Sequence, residues 1–290
     1  MSKQLRAGFL LMLTALIWGA AFVAQSVGMD YVGPFTYLCT RSVIAGIVLL
    51  PLVKFSGCAS TKGRSNLLIA GGISCGIALF VASIFQQTGI KYTTVGKAGF
   101  ITSLYMIIVP VIGIFLGKRA SKRVWFSVAI AIVGMYLLCI NGDVGISKGD
   151  LLVLCCAIGF AFHILIIDYF SPKTDGIRLS CIQFWVCAAI SAIPMLAFEK
   201  PNLSSIVSAW ASILYAGVLS SGVGYTLQII AQKDIDPTAA SLICSLESVF
   251  SALFGWIILN QALSDKELIG CALVFIAVIL TQLPEKHITN

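Results

Sequence analysis

The chain has 290 residues, of which 59% are hydrophobic and only 11% charged, with a mean hydropathy of +0.99. Soluble domains carry about a quarter charged residues and need no such apolar excess to fill a core, so a soluble fold is excluded and an integral membrane protein is expected. The net charge of +7 accompanies no basic patch with interleaved aromatics on any segment that would reach water; no nucleic-acid partner is expected, and the lipid bilayer is the partner the composition names.

Apolar stretches close to the roughly 20 residues that cross a bilayer as a helix recur along the chain. The first, Ala7 to Gly28, follows Lys3 and Arg6 and runs past the small residues Gly19, Ala20 and Ala21, so it reads as a retained helix rather than a cleavable signal. Others are expected at Pro34 to Val53, Asn66 to Thr88, Thr94 to Leu116, Val124 to Ile140, Gly149 to Phe170, Ile177 to Phe198, Ser205 to Ala231, Pro237 to Asn260 and Leu268 to Leu283. The chain therefore reads as an all-α integral membrane protein of ten transmembrane helices. Turn chemistry separates them at Gly33-Pro34, Lys62-Gly63, Asn141-Gly142-Asp143, Ser171-Pro172, Lys200-Pro201 and Asp236-Pro237. Proline opens a helix there because its missing N–H has no intrahelical partner to lose. Connections this short place successive helices antiparallel and side by side.

Lysine and arginine gather in alternate connections. Lys3, Arg6, Lys54, Lys62, Arg64, Lys118, Arg119, Lys122, Arg123, Lys173, Arg178, Lys233 and Lys286 fall on one side, against Lys91, Lys97, Lys148, Lys200 and Lys266 on the other. The positive-inside rule then puts both termini in the cytoplasm of a multi-pass protein in the cell (inner) membrane. The ten cysteines lie almost entirely within apolar runs, where a thiol behaves as a small hydrophobe. With neither a metal-type spacing nor a disulfide framework among them, no metal or cofactor is expected.

A shift of 142 residues lays Gln86 on Gln228, Lys91 on Lys233, Ala98 on Ala240, Ile101 on Ile243, Ser103 on Ser245, Leu104 on Leu246 and Gly113 on Gly255. Residues 1–141 would hold helices one to five and residues 142–290 helices six to ten. Five is odd, so the copies would enter the membrane from opposite sides, as two inverted-topology repeats. Repeats of this kind are common in secondary transporters, which rock one bundle against another around a midplane site.

Glu247 is the residue such a site would be built around. It sits near the middle of the apolar run Leu242 to Asn260, where an acid costs on the order of 2.5 to 3.5 kcal/mol and is normally kept facing a partner, a wet cavity or a substrate. It would bind solute, a coupling proton, or each in competition; the alternative is a structural, neutral glutamate bonded to Tyr105, its counterpart under the shift. Gln86 and Gln228, uncharged donors and acceptors at matching positions, would line a pathway or simply join helices. Trp18 lies too deep for the interfacial aromatic belt, and with Gln25 is placed on the cavity side of helix one. His163 is deep enough to serve the pathway or to hydrogen-bond a carbonyl. Its spacing of five from Asp168 is wrong for a shared metal on one helical face. Arg41 either snorkels to the outer surface or meets an anion, and Lys97 is similarly shallow. Ser241, Ser245, Ser248, Ala252 and Gly255, and their counterparts under the shift, Gly99, Ser103, Met106, Pro110 and Gly113, read as seams of close helix packing, as do Gly72 to Gly76 and Gly113 to Gly117.

These residues match a family. IFQQTGIKYTTVGKAGFITSLYMIIVPVIGIFLGKR in the first half and YTLQIIAQKDIDPTAASLICSLESVFSALFGWIILNQALS in the second resemble the two copies of the EamA-type domain of the drug/metabolite transporter superfamily, and LIWGAAFVAQ and FAFHILIIDYFSP fit the starts of those copies. The resemblance covers essentially the whole chain. It implies ten helices in an inverted repeat and transport, often export, of small metabolites such as amino acids or of drugs. Trp18 matches the aromatic of the family's WG motif and Glu247 the acid of its LEPVFA-like stretch. Ser248 stands where that stretch usually has proline, which would straighten helix nine, and Asn260-Gln261 replace the usual Gly-Glu.

The expected function is therefore a non-enzymatic secondary transporter moving a small-molecule solute through a central cavity, with Trp18, Gln25, Gln86, Tyr105, His163, Gln228 and Glu247 on the substrate pathway and a proton as a possible coupling ion. A passive channel or scaffold is the alternative. An intramembrane enzyme lacks parts, since no nucleophile is paired with a base and no glycine-rich phosphate loop precedes a helix.

Overall fold

The computed structural model of the chain describes residues 3–55, 62–117, 121–139, 147–260 and 264–282. The Asn141-Gly142-Asp143 turn, the expected boundary at 141/142, and Lys118, Arg119, Gln261 and Lys286 lie outside these residues. Among the described residues the elements are helical throughout: α1 (Lys3–Gly28), α2 (Pro34–Phe55), α3 (Lys62–Ile90), α4 (Val95–Ser103), α5 (Tyr105–Phe115), α6 (Lys122–Cys139), α7 (Lys148–Phe170) and α8 (Gly176–Pro194). The chain continues through a π-helical turn at Met195–Glu199, α9 (Leu203–Ser208), α10 (Trp210–Leu214), a π-helical stretch at Tyr215–Tyr225, α11 (Thr226–Ala231), α12 (Pro237–Cys244), α13 (Glu247–Leu259) and α14 (Asp265–Gln282). Among the described residues, eight helical rods are long and apolar enough to cross a membrane. The 18-residue helices α6 and α14 pack against each other beside them.

Sequence sets the helix ends. Ser147 and Asp150 form a reciprocal capping box at the start of α7. Asp175 accepts from the Arg178 amide at the start of α8, and Asp236 from the Thr238 amide just ahead of Pro237, the first residue of α12. Glu199 caps from a distance: its carboxylate accepts the Phe35 amide at 3.0 Å, the Thr36 amide at 2.7 Å and the Thr36 hydroxyl at 2.6 Å, fastening the end of the α8 rod to the first turn of α2. A second outer tie joins Lys97 of α4 to Asp150 of α7 at 3.0 Å.

Contacts along each seam fix the direction of packing. Cys39 donates to the Ala188 carbonyl and Cys181 to that of Gly46, so α2 and α8 run antiparallel. Gly99 abuts Ser251 while Ser103 donates to the Ser245 carbonyl at 3.4 Å, so α4 likewise opposes the α12–α13 rod. On α3, Gly71 meets Phe170 and Gly89 meets Val153 of the opposed α7, while Gly72 and Gly76 receive Ile182 and Val186 of α8 running alongside. Lipid offers no less apolar an environment than another helix, so such close approach supplies dispersion contact rather than hydrophobic drive. The outer surface is apolar in turn: Phe115, Phe198, Ile193 and Ile257 are 86%, 80%, 72% and 70% exposed, a surface suited to acyl chains and not to water.

Three local expectations are corrected. The spans Thr94 to Leu116 and Pro237 to Asn260 are not continuous helices: α4 gives way to α5 at Leu104 (φ −59°, ψ −14°), and α12 to α13 at Ser245 and Leu246 (φ −57°, ψ −17° at Leu246). Backbone bonds there tighten to three residues, from Leu104 to Ile101 and from Leu246 to Ile243. The break occurs without proline at position 248. Ser241, Ser245, Ser248 and Ser251 each donate to the carbonyl three residues earlier, competing with the helical bonds. The span Ser205 to Ala231 is interrupted too, by its π-helical stretch. Finally, Gly117 packs against nothing; at φ +77° it sits in the left-handed region just beyond the end of α5, a conformation glycine adopts freely.

A Cβ at Gly76 would lie 2.6 Å from the Val186 Cβ and 2.8 Å from the Gln183 carbonyl oxygen, whereas one at Gly96 meets nothing within 4 Å. Gly76→Leu is accordingly expected to destabilise the protein by about 1–3 kcal/mol, visible as a lower thermal midpoint in detergent, and Gly96→Ala to leave the midpoint unchanged.

Candidate functional site

One cavity in the middle of the bundle collects side chains from seven rods. Trp18, Phe22 and Gln25 come from α1, Arg41 from α2, Gln86 from α3, Tyr105 from the first turn of α5, Phe160 and Ile164 from α7, Ser220, Tyr225 and Gln228 from the π-helical stretch and α11, and Glu247 from the first turn of α13. Both helix breaks lie at its edge, which is why Tyr105 and Glu247, each just past a break, reach it.

The walls are aromatic. Tyr225 is the hub, with ring centroids 4.6 Å from Trp18, 5.7 Å from Phe184, 5.8 Å from His163 and 6.5 Å from Phe160. The π-helical stretch positions it. Widening a helix by one residue per turn frees carbonyls from their usual partners, and α1 supplies replacements: Trp18 Nε1 donates to the Ser220 carbonyl at 3.2 Å and Thr14 Oγ1 to that of Gly224 at 3.3 Å. Gly224 has no room for a side chain, because a Cβ there would sit 2.8 Å from Trp18 Nε1.

Two charged side chains interrupt this apolar lining. Glu247 is 3% exposed and its Oε1 has no hydrogen-bond partner. Ser103 and Tyr105 are its polar neighbours, and the Tyr105 hydroxyl is itself buried without a bond. Arg41 is also 3% exposed; its Nη1 donates to Gln25 Oε1 at 3.1 Å, while its Nε is unpartnered. Arg41 and Glu247 do not pair with each other. Gln86 donates to Thr102 Oγ1 at 3.3 Å, and Gln228 Oε1 is left open. The free space is small, about 20 Å³, room for roughly one water.

Of the seven residues expected on a pathway, the structure brings Trp18, Gln25, Gln86, Tyr105, Gln228 and Glu247 around this cavity. His163 is not among the lining residues: it lies behind Tyr225, fully buried, with Nε2 3.1 Å from Gln183 Oε1. Arg41 does not snorkel to the surface. It turns inward because Gln25, one helix away, offers an acceptor at its own depth. Phe160, Ser220 and Tyr225 were not legible as lining residues; Tyr225 opens the motif YTLQ, but nothing in a run of apolar residues marks a π-helical turn. Among the described residues, no three His, Cys, Asp or Glu side chains come together as a metal would require.

The sequence profile of the EamA-like transporter family matches residues 5–140 and again 147–283. An "uncharacterized transporter" of Archaeoglobus fulgidus is 32% identical over 282 residues, spanning 97% of this chain and 87% of that protein. A protein of Streptantibioticus cattleyicolor named "probable terminal-alkyne amino-acid exporter" is 24% identical, spanning 96% of this chain and 94% of its own. One solved crystal structure superposes with a TM-score of 0.76 at 19% identity, covering 94% of this chain and 96% of the other, which is a likeness of fold.

The Gln25 to Arg41 bond has a measurable consequence. A hydrogen bond to a charged group contributes about 1.5–3 kcal/mol, so Gln25→Leu is expected to lower the thermal midpoint in detergent by that equivalent, while Gln25→Glu, which keeps an acceptor facing Arg41, retains or raises it.

Proposed function

The chain belongs to the EamA-like transporter family, and from that premise we propose that it is a secondary transporter, working as an exporter, that carries small metabolites such as amino acids, or drugs, across the cell (inner) membrane by alternating access around the Glu247 cavity. It is a multi-pass membrane transporter rather than an enzyme, with a small-molecule solute and a lipid surround. The single observation that carries the finer reading is the convergence of side chains from seven rods on one cavity holding a buried carboxyl group with one oxygen unpartnered. In a bilayer interior that arrangement is costly unless a ligand uses it. The amino-acid class is supported by the name of the Streptantibioticus cattleyicolor relative.

In this reading α1 to α6 and α7 to α14 are two inverted repeats of five membrane crossings each, residues 1–141 and 142–290. Its support is that helices related by the 142-residue shift pack as partners: α2 with α8, the α4–α5 rod with the α12–α13 rod, and α6 with α14. The first two of these pairs run antiparallel. Leu104 and Leu246, equivalent under the shift, both mark helix breaks with nearly equal dihedrals. Ser103 donates to the carbonyl of Ser245, its own counterpart, as residues beside a two-fold axis would. The narrow cavity is then a contracted state, and its opening is achieved by rocking one set of rods against the other about the paired breaks.

Glu247 would carry the coupling proton, its carboxylate being discharged by a proton in one half of the cycle and by solute in the other. In proteoliposomes, Glu247→Gln is expected to reduce uptake driven by a pH gradient at least tenfold and to make the residual flux independent of the gradient; residual flux that keeps the wild-type dependence on the gradient would remove the proton from the mechanism. Topology is checked separately. Alkaline phosphatase fused after residue 144 should be active and after residue 58 or 290 inactive, since the charge distribution places both termini in the cytoplasm; the reverse pattern would invert the assignment.

A further inference from the structure

Arg41 is a charged group that the transport reading leaves without a task. It is 3% exposed at membrane depth, lines the same cavity as Glu247, and keeps one donor, Nε, unpartnered while Gln25 holds Nη1. Glu247, which lines the same cavity, has its Oε1 without a hydrogen-bond partner. A buried cation and a buried anion that merely balanced one another would be expected to pair, because opposite charges in a low-dielectric interior attract strongly and desolvation is offset only by contact. Here they do not pair; both line the cavity with an atom left unpartnered, and the rings of Trp18 and Tyr225 line it beside them.

From this we infer that the cavity is a two-pole site for solutes bearing both signs of charge, in which Arg41 takes a carboxylate and Glu247 takes an ammonium group. The inference rests on the transport reading of the same cavity but concerns recognition, and binding tests it apart from flux. A guanidinium offers parallel N–H donors matching the two oxygens of a carboxylate, and its bond to Gln25 holds the plane in place before solute arrives. The ammonium of the solute satisfies the Glu247 acceptor at the other pole. A solute with only one of the two charges leaves the opposite pole buried and unpaired, which is the condition that gives polar sites their strongest discrimination. The free space of about 20 Å³ holds no such solute, so the poles must be separated by an opening of the walls when one binds.

The test uses the purified full-length protein in detergent and three matched sets of probes: glycine, L-leucine and L-phenylalanine; the corresponding amines; and the corresponding carboxylic acids. Binding is read by thermal shift and calorimetry, and flux in proteoliposomes. At least one amino acid is expected to bind about tenfold or more tightly than both its amine and its acid. Arg41→Gln should lose that advantage against the amine while leaving amine binding within about twofold, Arg41→Lys should restore part of it, and Glu247→Gln should lose the advantage against the acid. Preference for an amine or an acid over the zwitterion, no binding by any of the nine probes, or an equal loss of all three classes in Arg41→Gln would overturn the inference. Zwitterion-selective binding without flux would uphold it and instead sink the transport reading.

Discussion

A hydrocarbon interior supplies no water to complete a polar group's hydrogen bonds, and that one constraint organises the molecule. Where a backbone departs from the α-helix, another part of the protein must supply partners. The π-helical stretch at Tyr215–Tyr225 survives because Trp18 and Thr14 donate to its carbonyls. The serine run on α12 and α13 is tolerated because every hydroxyl donates within its own rod. Open valences remain at several buried side chains, and those of Arg41, Tyr105, Gln228 and Glu247 gather around one cavity.

The glycine seams allow that cavity to exist at the centre of a tightly packed bundle. Close approach of α3 to α7 and α8, and of α1 to α13 through Gly19 against Phe250, draws the rods together around their rims. The bulky groups Trp18, Phe160 and Tyr225 are left to meet in the middle, where rings leave small gaps. Packing by small residues outside and aromatics inside thus produces a site that is apolar on most of its surface and polar at a few fixed points, the general character of a small-molecule site.

Much of this could be read from residues alone. Hydropathy located the apolar rods to within a few positions, because twenty consecutive apolar residues admit few other structures, and the isolated acid at position 247 marked the cavity for the same reason. Charge depth was harder. Arg41 and Lys97 look alike in sequence, both near a helix entrance, yet one turns inward to Gln25 and the other outward to Asp150; the difference lies in partners 16 and 53 residues away, which no local pattern encodes. The helix breaks escaped notice because the expected signal was proline at position 248. Consecutive serines bonding back three residues tighten the turn without it. His163 stands one layer behind Tyr225, for depth along a helix says nothing about which ring stands in front.

The carboxylate of Glu199 has a consequence for how such a molecule can move. Three donors from the start of α2 converge on it, and a Cβ at Gly33 would collide with it, so the tips of α2 and the α8 rod are riveted together at that end. Any large rearrangement must therefore treat them as one stiff pillar. The two fractured rods carry no such rivet at their breaks, which lie close together where Ser103 approaches the Ser245 carbonyl, so a motion that used them would divide the protein across the order of its chain.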